Sequence, residues 1–276
     1  MAEGLRTLRL PFAPSPGGAF GLTAAALYLT FIGLPIVALL IRAFQQESLL
    51  DALSSDMALT ALRLSLVTST IAMLLLLLIG TPFAYLLARS NAPVLRLVDA
   101  LVELPIVLPP VVAGVAMLMA FGRQGIIGAP LESIGVTLPF TTIAVVFAQL
   151  FVASPFYIRA ARLGFQSVAR DYEDVSQTLG VSPWWTFWRL TLPLAMPSLA
   201  TGVALAWARA LAEFGATLMF AGNLTGKTQT MPLAIMTAME TSLDAALALS
   251  VLLVAGSVFL LLVIGLATRR QWQGRL

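Results

Sequence analysis

The sequence predicts an all-α integral membrane protein with six transmembrane helices, and three observations lead there. Apolar residues make up 59% of the 276, charged residues only 11%, and the mean hydropathy is +0.94. That is more apolar surface than a water-soluble domain can hide. Six stretches reach the roughly 20 residues a helix needs to cross about 30 Å of hydrocarbon. Helix is also the open-chain form that satisfies each backbone N–H and C=O within its own segment in lipid.

The spans follow in order. The first is 19–42, "AFGLTAAALYLTFIGLPIVALLIR", whose apolar core exceeds that of a cleaved signal peptide, so it reads as a retained helix behind a cytoplasmic tail at 1–17. The second is 59–88 and the third 97–121, "LVDALVELPIVLPPVVAGVAMLMAF". The fourth is 140–164, the fifth 195–220 and the sixth 243–267. No internal repeat or low-complexity tract divides the chain, which reads as one membrane domain.

Orientation follows from the basic residues. With a cytoplasmic N-terminus the inner side receives Arg6, Arg9, Arg89, Arg96, Arg159, Arg162, Arg170, Arg189, Arg269, Arg270 and Arg275, and the outer side only Arg42, Arg63, Arg123 and Lys227. This is the positive-inside asymmetry, so both termini are expected in the cytoplasm. It also accounts for the net charge of +3 without a nucleic-acid partner. The chain has neither Cys nor His, which removes thiolate nucleophiles, imidazole bases and Cys/His metal sites together. An intramembrane enzyme would need a Ser–Lys or carboxylate dyad, yet the one lysine, Lys227, falls outside. No catalytic site, metal site or bound cofactor is expected.

One stretch departs from the apolar background: "DYEDVSQTLGVSPWWTFWRLTLP", Asp171–Pro193, in the long cytoplasmic loop between spans four and five. Asp171, Glu173 and Asp174 suit the first turn of a short helix at 171–179, where the macrodipole favours acids. Gly180 offers its stop. Ser182 and Pro183 restart the chain as N-cap and first helical residue of a second helix, 183–191, bearing Trp184, Trp185, Phe187 and Trp188. Two short helices around a sharp bend make a rigid knob suited to docking. The alternative is an interfacial belt of Trp with solvated acids, which leaves the bend unexplained.

The loop resembles the EAA motif, E-A-A-x3-G-x9-I-x-L-P, of binding-protein-dependent ABC importer permeases. Asp174, Val175 and Ser176 fall on the E-A-A triplet, and Gly180, Leu190, Leu192 and Pro193 on the remainder. The resemblance implies a type I ABC importer transmembrane domain at 57–266, preceded by a first helix and outer loop at 18–56 and followed by a cytoplasmic tail at 267–276. It further implies that 165–193 is a coupling region seated in a separate ATPase, with Glu173, Asp174, Val175, Ser176, Gly180, Ser182, Pro183, Trp185, Leu190 and Pro193 as contacts. The implied partners are a second copy of the chain, two ATP-binding subunits that carry ATP and Mg, an extracytoplasmic substrate-binding protein, and lipid of a bacterial or archaeal plasma membrane. Residues "ELPIVLPPVVAGVAMLMAFGRQGIIG" and "ALAWARALAEFGATLMFAGNLTGKTQTMPLAI" resemble the molybdate branch, and less closely the sulfate and tungstate branches.

Inside the membrane, Arg209 and Glu213 lie at i and i+4, which on a continuous helix puts them on one face. They read either as lining an oxyanion path or as a structural ion pair. Glu103 precedes Pro105, Pro109 and Pro110, which kink span three in the manner of a gate or of irregular packing. Small residues Gly202, Ala204, Ala208 and Ala212 would let helices approach closely, and six helices enclose little room, so a two-fold dimer with the path at its interface is expected. Gly222–Thr228, "GNLTGKT", is one residue short of a phosphate-binding loop and falls on the outer side, so no nucleotide role is expected. An ion-coupled secondary transporter using Glu103, Arg209 and Glu213 is the competing reading. It predicts inverted repeats that are absent from the sequence, and collapse of uptake by an uncoupler at constant ATP.

Overall fold

A computed structural model of the chain describes residues 16–46, 49–90 and 92–273. Most of the expected N-terminal tail, with Arg6 and Arg9, lies outside the described residues, as do residues 274–276 with Arg275. The described residues form thirteen α-helices and one π-helical turn. Helix α1 is Pro16–Phe44, α2 Leu49–Leu53, α3 Asp56–Arg89, α4 Pro93–Val107, α5 Pro110–Phe121, α6 Gly128–Ser133 and α7 Thr142–Ser167. Then come α8 Arg170–Thr178, α9 Pro183–Thr186, the π turn Phe187–Thr191, α10 Leu192–Leu211, α11 Gly215–Ala221, α12 Met231–Thr241 and α13 Leu243–Gln273.

Among the described residues, five helical stretches are long and apolar enough to cross a membrane: Phe20–Phe44, Asp56–Arg89, Thr142–Ser167, Pro183–Leu211 and Leu243–Leu262. The expected third span is not one helix. It stops at Val107 and restarts at Pro110, because Pro109 and Pro110 carry no N–H for the helical ladder and drive the residue before each into extended backbone. The expected fifth span, 195–220, also breaks, at residues 212–214 between α10 and α11. Helix α13 continues past the expected end of span six to Gln273. Helix α12 lies in what the sequence suggested was an outer connection; its 11 residues are too few to span, and it packs against α3 and α13.

The core is built around α7. One apolar cluster joins α3, α7 and α10 through Met73, Leu76, Tyr157, Phe165, Leu199 and Ala206. A second joins α5, α7 and α11 through Met117, Val145, Val152 and Phe220. Small residues set the spacing, as expected where lipid supplies no hydrophobic drive between helices. A Cβ on Gly164 would sit 2.6 Å from Ser198 Cβ, and one on Gly202 would sit 2.8 Å from Ala160 Cβ. Gly202 thus permits the close approach of α10 to α7 inside the subunit. Ala204, Ala208 and Ala212 lie on a different, partly open side of the chain. Hydrogen bonds along its length pin α3 to its neighbours, among them Tyr157 Oη to Thr81 Oγ1 at 2.6 Å and Trp207 Nε1 donating to Ser69 Oγ at 3.0 Å. Helix α1 stands apart, with none of its apolar window buried. It meets the rest at its C-terminal end, through Ala43 and the Gln46 Nε2 to Asp244 Oδ1 hydrogen bond of 3.0 Å.

Candidate functional site

Two places gather the residues singled out in the sequence: an elbow at one end of the bundle, and a junction inside it where the two broken spans meet.

The elbow starts with α8. Its C-terminus closes as a Schellman motif, with Gly180 N–H donating to Gln177 O at 2.9 Å and Val181 N–H to Ser176 O at 3.1 Å. Gly180 has φ +82°, and nothing lies within 4 Å of where its Cβ would be. The glycine is thus required by backbone handedness and not by space. Ser182 occupies the N-cap position of α9 with Pro183 first in the helix, as expected, although the serine hydroxyl makes no capping hydrogen bond. A hydrogen bond of 2.9 Å between Ser176 Oγ and Thr186 Oγ1 ties α8 to α9.

The second short helix does not end at 191. Helix α9, the π turn and α10 run on without interruption, making one 29-residue rod from Pro183 to Leu211. Pro193 has no N–H to offer Arg189 O and its ring crowds that carbonyl. The backbone accommodates this by widening just upstream, where Leu192 N–H bonds Phe187 O five residues back.

What fixes the elbow to the bundle is Glu173, although the motif register puts Asp174 on the acidic position. Glu173 is buried while Asp174 is exposed. Glu173 Oε1 accepts from Arg89 Nη2 at the end of α3 and from Thr191 Oγ1 at the end of the π turn, both at 2.7 Å. Arg89 Nη2 also donates to Val168 O at 3.2 Å, and Arg170 Nη2 to Arg89 O at 2.8 Å. One buried carboxylate thereby links the ends of α3, α7 and α10. Beneath it, Tyr85, Phe165 and Phe187 pack with ring centroids 5.0–6.0 Å apart. The outward surface is different: Tyr172, Val175, Leu179, Trp184 and Trp185 are all at least half exposed. Arg189 stacks over Trp185 at 4.6 Å, and Trp184 meets Trp188 edge-on at 5.6 Å. Leu190 and Pro193 are half-buried at the root of the elbow.

The junction joins α5 to α11. A Cβ on Gly215 would stand 2.6 Å from Pro110 Cβ, and one on Gly114 would stand 2.6 Å from Met219 Cβ. Arg209 and Glu213 do not share a continuous helix, since α10 ends at Leu211. Glu213 sits in the link, its side chain fully buried, with Oε2 2.7 Å from Arg209 Nη2. Its other oxygen accepts the Ala216 N–H at 2.8 Å, capping α11 from three residues upstream. The pair therefore holds a helix break closed on both sides. Glu103 is not at this junction; it lies half-buried on α4, before the Pro109–Pro110 break.

The sequence reading missed an ion pair between Asp99 on α4 and Arg162 on α7. Sixty-three residues separate the two, so no local pattern betrays it. The stretch that nearly spells a phosphate loop is a self-bonded turn: Gly222 and Gly226 have φ +73° and +75°, Thr228 Oγ1 accepts from Leu224 N–H at 2.9 Å, and α12 begins only at Met231.

Comparison with known proteins agrees with this architecture. The family described as binding-protein-dependent transport system inner membrane component matches residues 80–273. The Molybdenum transport system permease protein ModB of Mycobacterium bovis is 44% identical over 242 residues, covering 87% of this chain and 90% of that one. The Probable transport system permease protein NifC of Clostridium pasteurianum is 39% identical over 90% of this chain and 87% of its own. A Probable sulfate transport system permease protein cysT of Chlorokybus atmophyticus is 35% identical over 79% and 77%. In fold, the chain resembles a bacterial ABC transporter involved in import of the acidic polysaccharide alginate, with TM-score 0.72 at 17% identity over 91% of this chain and 94% of that one. The chain belongs to the family of binding-protein-dependent transport system inner membrane components, as a multi-pass permease of the ABC importer type.

Proposed function

We propose that the chain is the membrane permease of an ATP-driven oxyanion importer, with molybdate as its anion, working as a two-fold dimer in a bacterial or archaeal plasma membrane. Helices α4 and α5 in succession serve as the sixth crossing, and both termini face the cytoplasm. The anion assignment rests on the similarity to ModB, reinforced by 44% identity over most of both chains. Tungstate and sulfate are the competing anions, and the sulfate-permease relative keeps the latter in view.

The observation that carries the coupling mechanism is Glu173. Its bonds to Arg89 and Thr191 fasten an exposed aromatic surface to the ends of three spans. In this reading the elbow 165–193 docks through Val175, Ser182, Pro183 and Trp185 into a separate ATPase, which binds the ATP and Mg. Because α9 and α10 are one rod, a push on the elbow becomes a tilt of α10 with no loop to absorb it. Two such rods, one per copy, exchange inward- and outward-facing arrangements as the ATPases close. An extracytoplasmic binding protein delivers the anion. Pro109, Pro110, Arg209 and Glu213 hold the junction about which the halves of the broken spans move.

The test is reconstitution in proteoliposomes with a cognate ATPase and binding protein. ATP-dependent molybdate uptake that excess sulfate fails to suppress is the expected result. Uptake that survives without ATP but stops with an uncoupler would refute it in favour of ion coupling.

A further inference from the structure

Charges inside the bilayer are costly unless they pair or face water. On α7 four residues at i, i+3, i+4 and i+7, namely Arg159, Arg162, Leu163 and Gln166, form one exposed to half-buried stripe along the inner half of a largely buried helix. Arg162 is accounted for by Asp99 on α4. Arg159 is exposed and, among the described residues, its side chain makes neither an ion pair nor a hydrogen bond.

Helices α4 and α7 run antiparallel, because Pro93 of α4 and Ser167 of α7 both lie at the Arg89 end of the bundle. At 1.5 Å per residue, Arg159 is about 12 Å and Glu103 about 15 Å from the inner ends of their helices. Glu103 follows Asp99 by four residues and Arg159 precedes Arg162 by three, so both point toward the side of the seam where the formed pair lies. Glu103 too has no ion-pair or hydrogen-bond partner among the described residues. An acid and a base thus stand at nearly the same depth, about a turn deeper than a closed pair, and neither has an ion-pair partner among the described residues.

We propose that Arg159 is an anion contact in the inner half of the permeation path, taking a tetrahedral oxyanion, and that Glu103 across the α4–α7 seam keeps that contact weak. This rests on the oxyanion-permease reading and adds the residue that meets the cargo. A guanidinium offers the forked donors that tetrahedral oxyanions accept. Left alone at low dielectric it would hold a dianion too long for transport. A carboxylate nearby repels the same anion and offers Arg159 an alternative partner once the anion leaves.

Because the chain has no cysteine, Leu163→Cys gives a single thiol on the same stripe, one turn from Arg159. The assay uses the complex with its ATPase and binding protein in inside-out vesicles, and measures labelling by a membrane-impermeant anionic thiosulfonate. Molybdate is expected to slow labelling about five-fold with Arg159 present and not at all with Arg159→Gln, whose uptake falls about ten-fold. Glu103→Gln should lower the molybdate concentration that half-protects the thiol, again about ten-fold. A thiol reached by a lipid-soluble maleimide but not by the charged reagent would put Arg159 against phospholipid headgroups and overturn the proposal. So would slowing that is equal with and without Arg159, or half-protection unmoved by Glu103→Gln. If Arg159→Gln fails to assemble, protection in the Arg159 background still decides. A parent complex that transports no oxyanion removes the function itself, whereas normal parental transport with an indifferent Arg159 removes this inference alone.

Discussion

The elbow and the junction solve one problem in opposite ways. Each has a buried glutamate that takes an arginine and a second donor, on separate oxygens of Glu213 and on the single Oε1 of Glu173. At the junction the donor is a backbone N–H three residues away, and the arginine is four residues away. At the elbow the donors come from the ends of α3 and the π turn, 84 and 18 residues away. The first arrangement fixes local geometry; the second welds distant elements into one body. The surroundings differ to match, since the junction is enclosed by α5, α7 and α11 while the elbow turns large apolar side chains outward. An enclosed break is a place to bend, and an exposed welded surface is a place to be pushed.

The contrast can be broken most severely at Glu213. Glu213→Ala leaves Arg209 unpaired inside the membrane and α11 uncapped, at a cost of about 3–5 kcal/mol. Loss of the monodisperse peak in detergent size-exclusion chromatography would register it. Glu213→Gln retains an acceptor for Ala216 N–H and should recover part of that loss in a thermal-unfolding series. Glu173→Ala comes next at about 3 kcal/mol, because it leaves Arg89 nearly buried without its carboxylate. Its distinguishing result is ATPase activity that no longer responds to the binding protein even where folding survives. If the two glutamate variants lose coupling equally while still folded, the division into hinge and handle fails.

Gly180 sharpens the comparison. Gly180→Val forces a β-branched residue to φ +82° and should cost about 1–2 kcal/mol, whereas Gly180→Asn, which tolerates that region, should cost a few tenths. With open space around the site, equal penalties for the two would mean that something other than handedness is at work. The smallest expected stability effect is that of Trp185→Ala, within about 0.5 kcal/mol on an exposed surface. Affinity for the ATPase should nonetheless fall about ten-fold as a docking anchor is lost. A variant that binds the ATPase normally would place the contact elsewhere on the elbow.

How much of this was legible in the sequence depended on the range of the forces involved. The turn chemistry at Gly180 and Ser182–Pro183 is local, and the sequence predicted it nearly residue by residue. Which acid of the elbow turns inward is not local: α8 is amphipathic, and only its packing on Arg89 and Thr191 decides for Glu173 over Asp174. The break in span three is announced by Pro109–Pro110. The break in span five has no proline, and arises because Gly215 packs on Pro110 while Glu213 leaves the helix to cap the next one. Helix α12 is hard to read from the sequence because an 11-residue, largely apolar helix suffices to pack on other helices but not to cross a bilayer.

The isolation of α1 has a practical consequence. A helix that shares so little surface with its neighbours adds little to their cohesion, so alterations confined to residues 20–40 should leave the remaining assembly intact. Fluorophores, photo-reactive amino acids or a fused reporter could be carried there as on an outrigger. They would sense surrounding lipid or an adjoining protomer while the transport machinery turned over undisturbed.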